Sequence, residues 1–308
     1  MEKVLIVYFS QTGQLREILQ SLTGPLAEEY ELVTEELKPK VPFPFPWKGP
    51  SFFQAFPESV QETGCELEPF AFNPDDDFDL VILGIQVWYL SPSIPVSAFL
   101  QSEAGKRVMK GRPVLTVQGV RNMWVMSQER VKQRIMQNGG HLIGNIVLAD
   151  PHRNLVSVVT IVRWLMKGEK HGGGLYGRLF PPAGVPEPEI RSARRFGKLI
   201  LDALKHNEIN GLQELIRTSG GIRINPLLVE IEKRGFAMFR IWSKFILKKG
   251  VYGDPAREGR LKAFKYYLFT VIYIVSPVVS LLFRLKLLAT PGKTRKMIAY
   301  YSDNALKQ

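Results

Sequence analysis

Residues 3–9 read KVLIVYF, an almost unbroken run of β-branched and aromatic side chains. A strand without a polar face has to be covered on both sides, as the central strands of parallel sheets are. A turn, Ser10-Gln11-Thr12-Gly13, and a helical stretch over 14–19 follow it. Further strands are expected at 30–37, 79–85, 113–118 and 141–148, with helices around 96–100 and 125–138. This alternation predicts an α/β fold, a doubly wound five-stranded parallel sheet with helices on both faces. A hydrophobic content of 45% can fill such a core. The single cysteine, Cys65, excludes an internal disulfide framework and a Cys-rich metal site, and fits a reducing compartment. The opening apolar run is only about seven residues long and has no small-residue cleavage site behind it, so it does not read as a signal peptide.

Ligands of open parallel sheets bind beyond the carboxyl ends of the strands, which directs attention to three loops. The first is Ser10-Gln11-Thr12-Gly13-Gln14-Leu15. Short hydroxyls, a glycine and a helix N-terminus together form an anion cradle that needs no lysine. The loop is neither a Walker loop nor a GxGxxG turn, and its plain alternative is an ordinary strand-to-helix turn. The second, 84–92, carries Gln86, Val87, Trp88 and Tyr89, adjacent aromatics that a flat heteroaromatic ring would cover or that pack under a helix. The third, 119–124, carries Gly119, Arg121 and Asn122, polar groups able to address a ring edge.

The opening KVLIVYFSQTG resembles the flavodoxin-like superfamily over roughly residues 1–205. The resemblance implies strand order 2-1-3-4-5 and FMN as cofactor. Ser10, Gln11, Thr12, Gly13, Gln14 and Leu15 would hold the phosphate, the last two through their amides. Residues 85–90 and 119–123 would flank the isoalloxazine ring. Leu15 stands where threonine is frequent in that superfamily, which removes one hydroxyl contact. A closer resemblance covers essentially the whole chain. The string Gln11-Thr12-Gly13-Gln14-Leu15, the Pro-aromatic insert KPKVPFPFPWKGPSFFQAFPES at 38–59, and the length are similar to those of the dialkylresorcinol condensing enzymes. That family implies work beside a ketosynthase and oxidation of a 2,5-dialkylcyclohexane-1,3-dione to the resorcinol.

Two inserts interrupt the first 207 residues, at 38–74 and 151–186. In the first, Pro42, Pro44 and Pro46 stiffen an extended segment bearing Phe43, Phe45 and Trp47, with Phe52, Phe53 and Phe56 beyond. Such a row has to cover something. Either it closes over an apolar substrate, with Phe45, Trp47 and Phe53 as contacts, or it wraps the sheet edge. The second insert contains His171-Gly172-Gly173-Gly174, which echoes a lipase oxyanion motif, but no G-x-S-x-G accompanies it, and it reads as a flexible loop. A helix over 187–206 closes this part.

Charge divides the chain. Residues 1–150 hold 13 basic and 18 acidic side chains, and 151–308 hold 28 and 11, so the formal +12 belongs to the second half. Residues 208–308 read as a helical, basic, apolar appendage. Its 226–249 stretch mixes Trp242 and Phe245 with Lys and Arg, and 266–283 is free of charge but flanked by Arg260, Lys262, Lys265, Arg284 and Lys286. Interfacial membrane attachment or a re-entrant hairpin, a buried core or homodimer helix, and a true span are the open readings. Nucleic acid is not expected, since no zinc-finger, HTH, RRM or KH signature is present.

The combined expectation is an FMN-dependent oxidoreductase acting on a lipophilic small molecule, cytoplasmic and peripherally attached to the inner face of the membrane. Tyr89 and His152 are the nearest acid–base groups, a histidine there being more commonly structural. An NAD(P)H-dependent quinone reductase, an electron-transfer flavodoxin-like protein and a non-catalytic membrane scaffold are the alternatives. No metal site is expected, because no HExxH or paired His/Cys motif occurs.

Overall fold

The computed structural model describes residues 2–306. Five strands form one parallel sheet: β1 (Lys3–Tyr8), β2 (Glu31–Glu36), β3 (Leu80–Ile85), β4 (Pro113–Val120) and β5 (His141–Ala149). Their order is β2-β1-β3-β4-β5, the flavodoxin-like order expected. Alternation along β1 divides its side chains between two cores. Val4, Ile6 and Tyr8 join the layer under the helices Gln14–Thr23 and Arg194–Lys205. Leu5, Val7 and Phe9 join the layer under Ile94–Gln101, Glu103–Met109 and Val125–Gln137. β2, at the sheet edge, is only partly buried.

Gly84 in β3 sets how closely the first helix approaches. A Cβ there would lie 2.5 Å from the Tyr8 Cβ and 2.8 Å from the Leu19 Cδ1. Gly84→Ala is therefore expected to cost about 1–3 kcal/mol of unfolding free energy by overpacking, measured by urea denaturation with an unchanged m-value.

Three sequence expectations need correction. The helix over 187–206 is two, Glu187–Ser192 and Arg194–Lys205. β4 runs to Val120, two residues beyond the expected end, so Gly119 belongs to the strand. The second insert is not merely a loop: Asn154–Lys167 is a helix, Asp150 lies just before it, and Gly174–Leu179 is another short helix.

The chain beyond residue 207 packs on the sheet domain through three shared cores. Leu212 and Ile216 enter the layer of Leu115, Ile143 and Ile146. Val229, Met297 and Tyr301 meet Val120, Trp124 and Val147. Ile246, Leu261 and Phe264 meet Phe56 and Val60 of the first insert, with Phe56 and Phe264 stacked at 3.7 Å. Beside them the fully buried Arg257 grips Glu58 bidentately, at 2.5 and 2.9 Å, and donates to the Gln54 carbonyl. The helices Leu212–Thr218, Pro226–Leu247 and, last in the chain, Pro291–Ser302, with a continuous helical run over Pro255–Ala289, complete this part. The run includes a π-helical turn at Val271–Val275, placed where Pro277 cannot donate to the Tyr273 carbonyl.

Candidate active site

The loops after β1, β3 and β4 converge on one cavity of about 520 Å³ at the carboxyl edge of the sheet. Its far walls come from elements that motif reading did not assign to a site. Val158, Ile161, Val162 and Leu165 line it from the Asn154–Lys167 helix, Glu232 and Phe239 from Pro226–Leu247, and Lys265, Phe269 and Ile272 from the long helical run. Helical spacing of apolar residues in 154–167 was the available sequence signal for the first of these.

In the first loop Gly13, at φ +84°, is the N-cap of the Gln14–Thr23 helix. With no side chain of its own, it caps none of the first-turn amides, the arrangement an anion cradle needs. The Gln11 amide is already used, donating to Gln86 Oε1 at 2.8 Å, which ties the first loop to the second. Gln11 Nε2 donates to the Pro44 carbonyl at 3.0 Å, while its Oε1 is buried without a partner. Ser10 Oγ accepts weakly from the Arg16 amide, and Thr12 lines the cavity. The Gln14 side chain is committed to Val185, bonding its amide and carbonyl at 3.0 and 3.2 Å. Leu15 is a core residue. Both therefore offer the cavity their main chain.

The second loop is a tight hairpin, Val87–Trp88 against Ser91–Pro92. Its two central residues, Tyr89 (φ 49°) and Leu90 (φ 64°), both adopt the left-handed conformation. A two-residue hairpin turn demands that conformation, at a cost of about 1–2 kcal/mol per non-glycine residue. Trp88 is buried and meets Phe9, Phe43 and Trp47 edge-on at 5.7, 5.1 and 5.6 Å, so it packs against the first insert while still bordering the cavity. Tyr89 donates its hydroxyl to the Phe52 carbonyl at 2.7 Å, and burial pushes its ionisation well above the ordinary phenol value. Those two facts make it an anchor for the insert rather than a ready proton carrier.

In the third loop Arg121 donates to the Asn154 carbonyl and to its Oδ1, at 3.2 and 2.7 Å. Burial lowers its ionisation to about 10, still a cation at neutral pH. Asn122 donates to the same Asn154 Oδ1 at 3.1 Å, with its own Oδ1 buried and unpartnered. Asn122 borders a neighbouring cavity of about 1160 Å³ rather than the first; Asn154 and Ser276 border both.

His152 lies on that second cavity, and the expectation that it serves the sheet-edge site is corrected. Its strand, β5, is the sheet's far edge, one strand beyond the crevice where the three loops meet. Its Nδ1 pairs with Asp150 Oδ1 at 2.6 Å, and Asp150 Oδ2 accepts from Ser157 at 2.7 Å. Of the three insert residues, Trp47 and Phe53 line the first cavity and Phe45 does not. Phe45 is exposed. Cys65 is half-buried outside this site, and burial lifts its thiol to about 11.

No protein-family profile and no curated protein matches the sequence. Among solved structures the chain is similar to a Lactobacillus acidophilus flavoprotein in complex with FMN, at 17% identity and a TM-score of 0.37, over 48% of this chain and 93% of that one. It is also similar to proteins provisionally named flavoproteins from Bacteroides uniformis (13% identity, TM-score 0.37, 54% and 99% covered) and Bacteroides eggerthii (15%, 0.37, 53% and 98%). Strand order and loop geometry, not these likenesses, carry the fold and the site.

Proposed function

We propose that this chain binds FMN and transfers electrons between it and an apolar ring compound. The observation that supports this most is the convergence of an uncapped helix N-terminus, two ring-flanking loops and a long apolar cavity on one sheet edge. The donor set suits FMN. Ser10 and Thr12 hydroxyls and the amides of Gly13, Gln14 and Leu15 would hold the phosphate, and the buried unpartnered Gln11 Oε1 is an acceptor awaiting a donor. When bound, FMN supplies a two-electron acceptor or donor. The chain's own part is to seat the ring between 86–90 and 119–121, to hold Arg121 as a cation at its edge, and to exclude water with Trp47, Phe53 and Phe239.

The finer reading is oxidation of a 2,5-dialkylcyclohexane-1,3-dione to a dialkylresorcinol. The walls from the second insert and the appendage offer largely apolar surface of the kind alkyl chains would meet. Incubating FMN-loaded protein with such a dione is expected to give a product lighter by two hydrogens in the mass spectrum. Unchanged dione together with rapid bleaching of the flavin by NADPH would instead make the protein a quinone reductase.

Attachment to an anionic membrane belongs to the same proposal. The Pro255–Ala289 run is held to the body on one side: Phe264 is in the core, Lys286 pairs with Glu230 at 3.1 Å, and Arg234 covers the Phe283 ring. Its other side leaves Val278, Leu281, Leu285 and Leu288 exposed among basic residues. A helix held to protein along one side only suits lying in the interface better than spanning it. Binding to vesicles containing phosphatidylserine is expected to weaken with salt, at about 1 kcal/mol per basic residue engaged, and to be lost in the pair Leu281→Asp and Leu285→Asp. Co-sedimentation measures it, and equal binding by that double variant would sink the attachment.

A further inference from the structure

Glu232 is the only acidic side chain lining the first cavity among the described residues. It stands on the Pro226–Leu247 helix, where 232, 235 and 239 recur at helical spacing and all reach the cavity. The side chain is fully buried. Its Oε1 accepts from the Met126 amide at 2.8 Å, at the opening turn of Val125–Gln137, and its Oε2 is buried with no partner. Glu232 lines the cavity, and a carboxylate that served only to cap that helix would have no need of a buried oxygen without a partner.

We propose that Glu232 exchanges a proton with the substrate through Oε2, the substrate being an apolar ring ketone or its enol. The inference rests on the reading that the cavity takes such a ring. In one direction a C–H or enol O–H bond of the substrate breaks, an O–H bond forms on Oε2, and the electron pair stays on the substrate as an enolate. The reverse step returns the proton. Neither direction consumes an oxidant. The charged and titratable groups around the carboxyl suit the exchange. Arg121 faces it from the third loop with Asp150 close behind, Lys265 lines the same cavity, and Tyr301 from the last helix is pushed up to about 12, partly by Glu232. Burial lifts the carboxyl to about 7 against the pull of the 124–126 amides and Arg121, which lets it give or take a proton near neutrality.

The test uses the full chain, with and without FMN, and 5-pentylcyclohexane-1,3-dione, which is an enolate in neutral water. Calorimetry at pH 8 in two buffers of different ionisation heat counts protons taken up on binding. Wild type is expected to take up about one proton per probe and Glu232→Gln less than about a fifth of one, since the enolate forces protonation of the carboxylate beside it. Equal uptake by both would overturn the proposal and leave Glu232 a helix cap. FMN binding without probe binding would overturn it while the flavin reading stands. Probe uptake with no FMN binding would retain Glu232 and sink the flavin. Should Glu232→Gln not fold, infrared spectroscopy of wild type decides the matter: a carboxylic acid C=O band must appear at pH 8 when the probe is added, and its absence overturns the proposal.

Discussion

Arg257→Ala is expected to lower the unfolding free energy by about 3–5 kcal/mol. The guanidinium is fully buried, and Glu58 beside it is nearly so. Removing the arginine strands a carboxylate among Phe56, Ile246, Leu261 and Phe264, and also unpairs the Gln54 carbonyl. The double replacement Glu58→Met with Arg257→Met is expected to stay within about 1.5 kcal/mol of wild type, since apolar groups of similar volume substitute well for a buried pair. Urea denaturation of the three variants measures both. The consequence reaches the site, because this pair fastens the appendage to the insert that carries Trp47, Phe52 and Phe53 over the cavity. Arg257→Ala should therefore weaken binding of apolar ligands more than binding of FMN phosphate. Equal stability of the single and double variants would remove the pair from this role.

The second large effect is pH-dependent. Glu232 titrates at about 7 when folded, against 4.5 in the unfolded chain. Its raised value means that its contribution to stability is full below pH 4.5 and is lost as pH rises to about 7. The loss amounts to about 3 kcal/mol, from roughly 2.5 pH units at 1.36 kcal/mol each. Glu232→Gln keeps an oxygen for the Met126 amide and cannot ionise. It should match wild type near pH 4.5 and exceed it by about 3 kcal/mol at pH 8, as thermal denaturation across that range would reveal. Such a gain on removing a charge is the ordinary cost of keeping a reactive group buried. A constant difference from pH 4.5 to 8 would mean that the carboxyl is not held where its surroundings place it.

Much of the sheet was legible in the residues. The KVLIVYF run, the strand periodicities and the polar breaks located all five strands within two residues of their ends, because strands buried on both faces leave a continuous apolar signature. The three loops were legible for the same reason, since strand ends fix where loops begin. What was hidden depends on packing between distant segments. Trp88 could not be distinguished as ring shelf or core from its own neighbours, since Phe43 and Trp47 decide it from 41 to 45 residues away. His152 looked close to the site because β5 precedes it, and only the sheet's lateral order moves it to the next cavity. Glu232 was invisible for a stronger reason. In a basic helix that also carries Glu230, a glutamate reads as a surface counter-charge, and nothing in its own turn reveals that the Val125–Gln137 N-terminus awaits it.

Titration of FMN into the full-length protein, followed by flavin fluorescence, tests the central claim most directly. Quenching by the aromatic loop is predicted to saturate at one equivalent and to vanish in Thr12→Glu, whose carboxylate would occupy the phosphate cradle. Fluorescence that stays that of free FMN in the wild-type protein would contradict it.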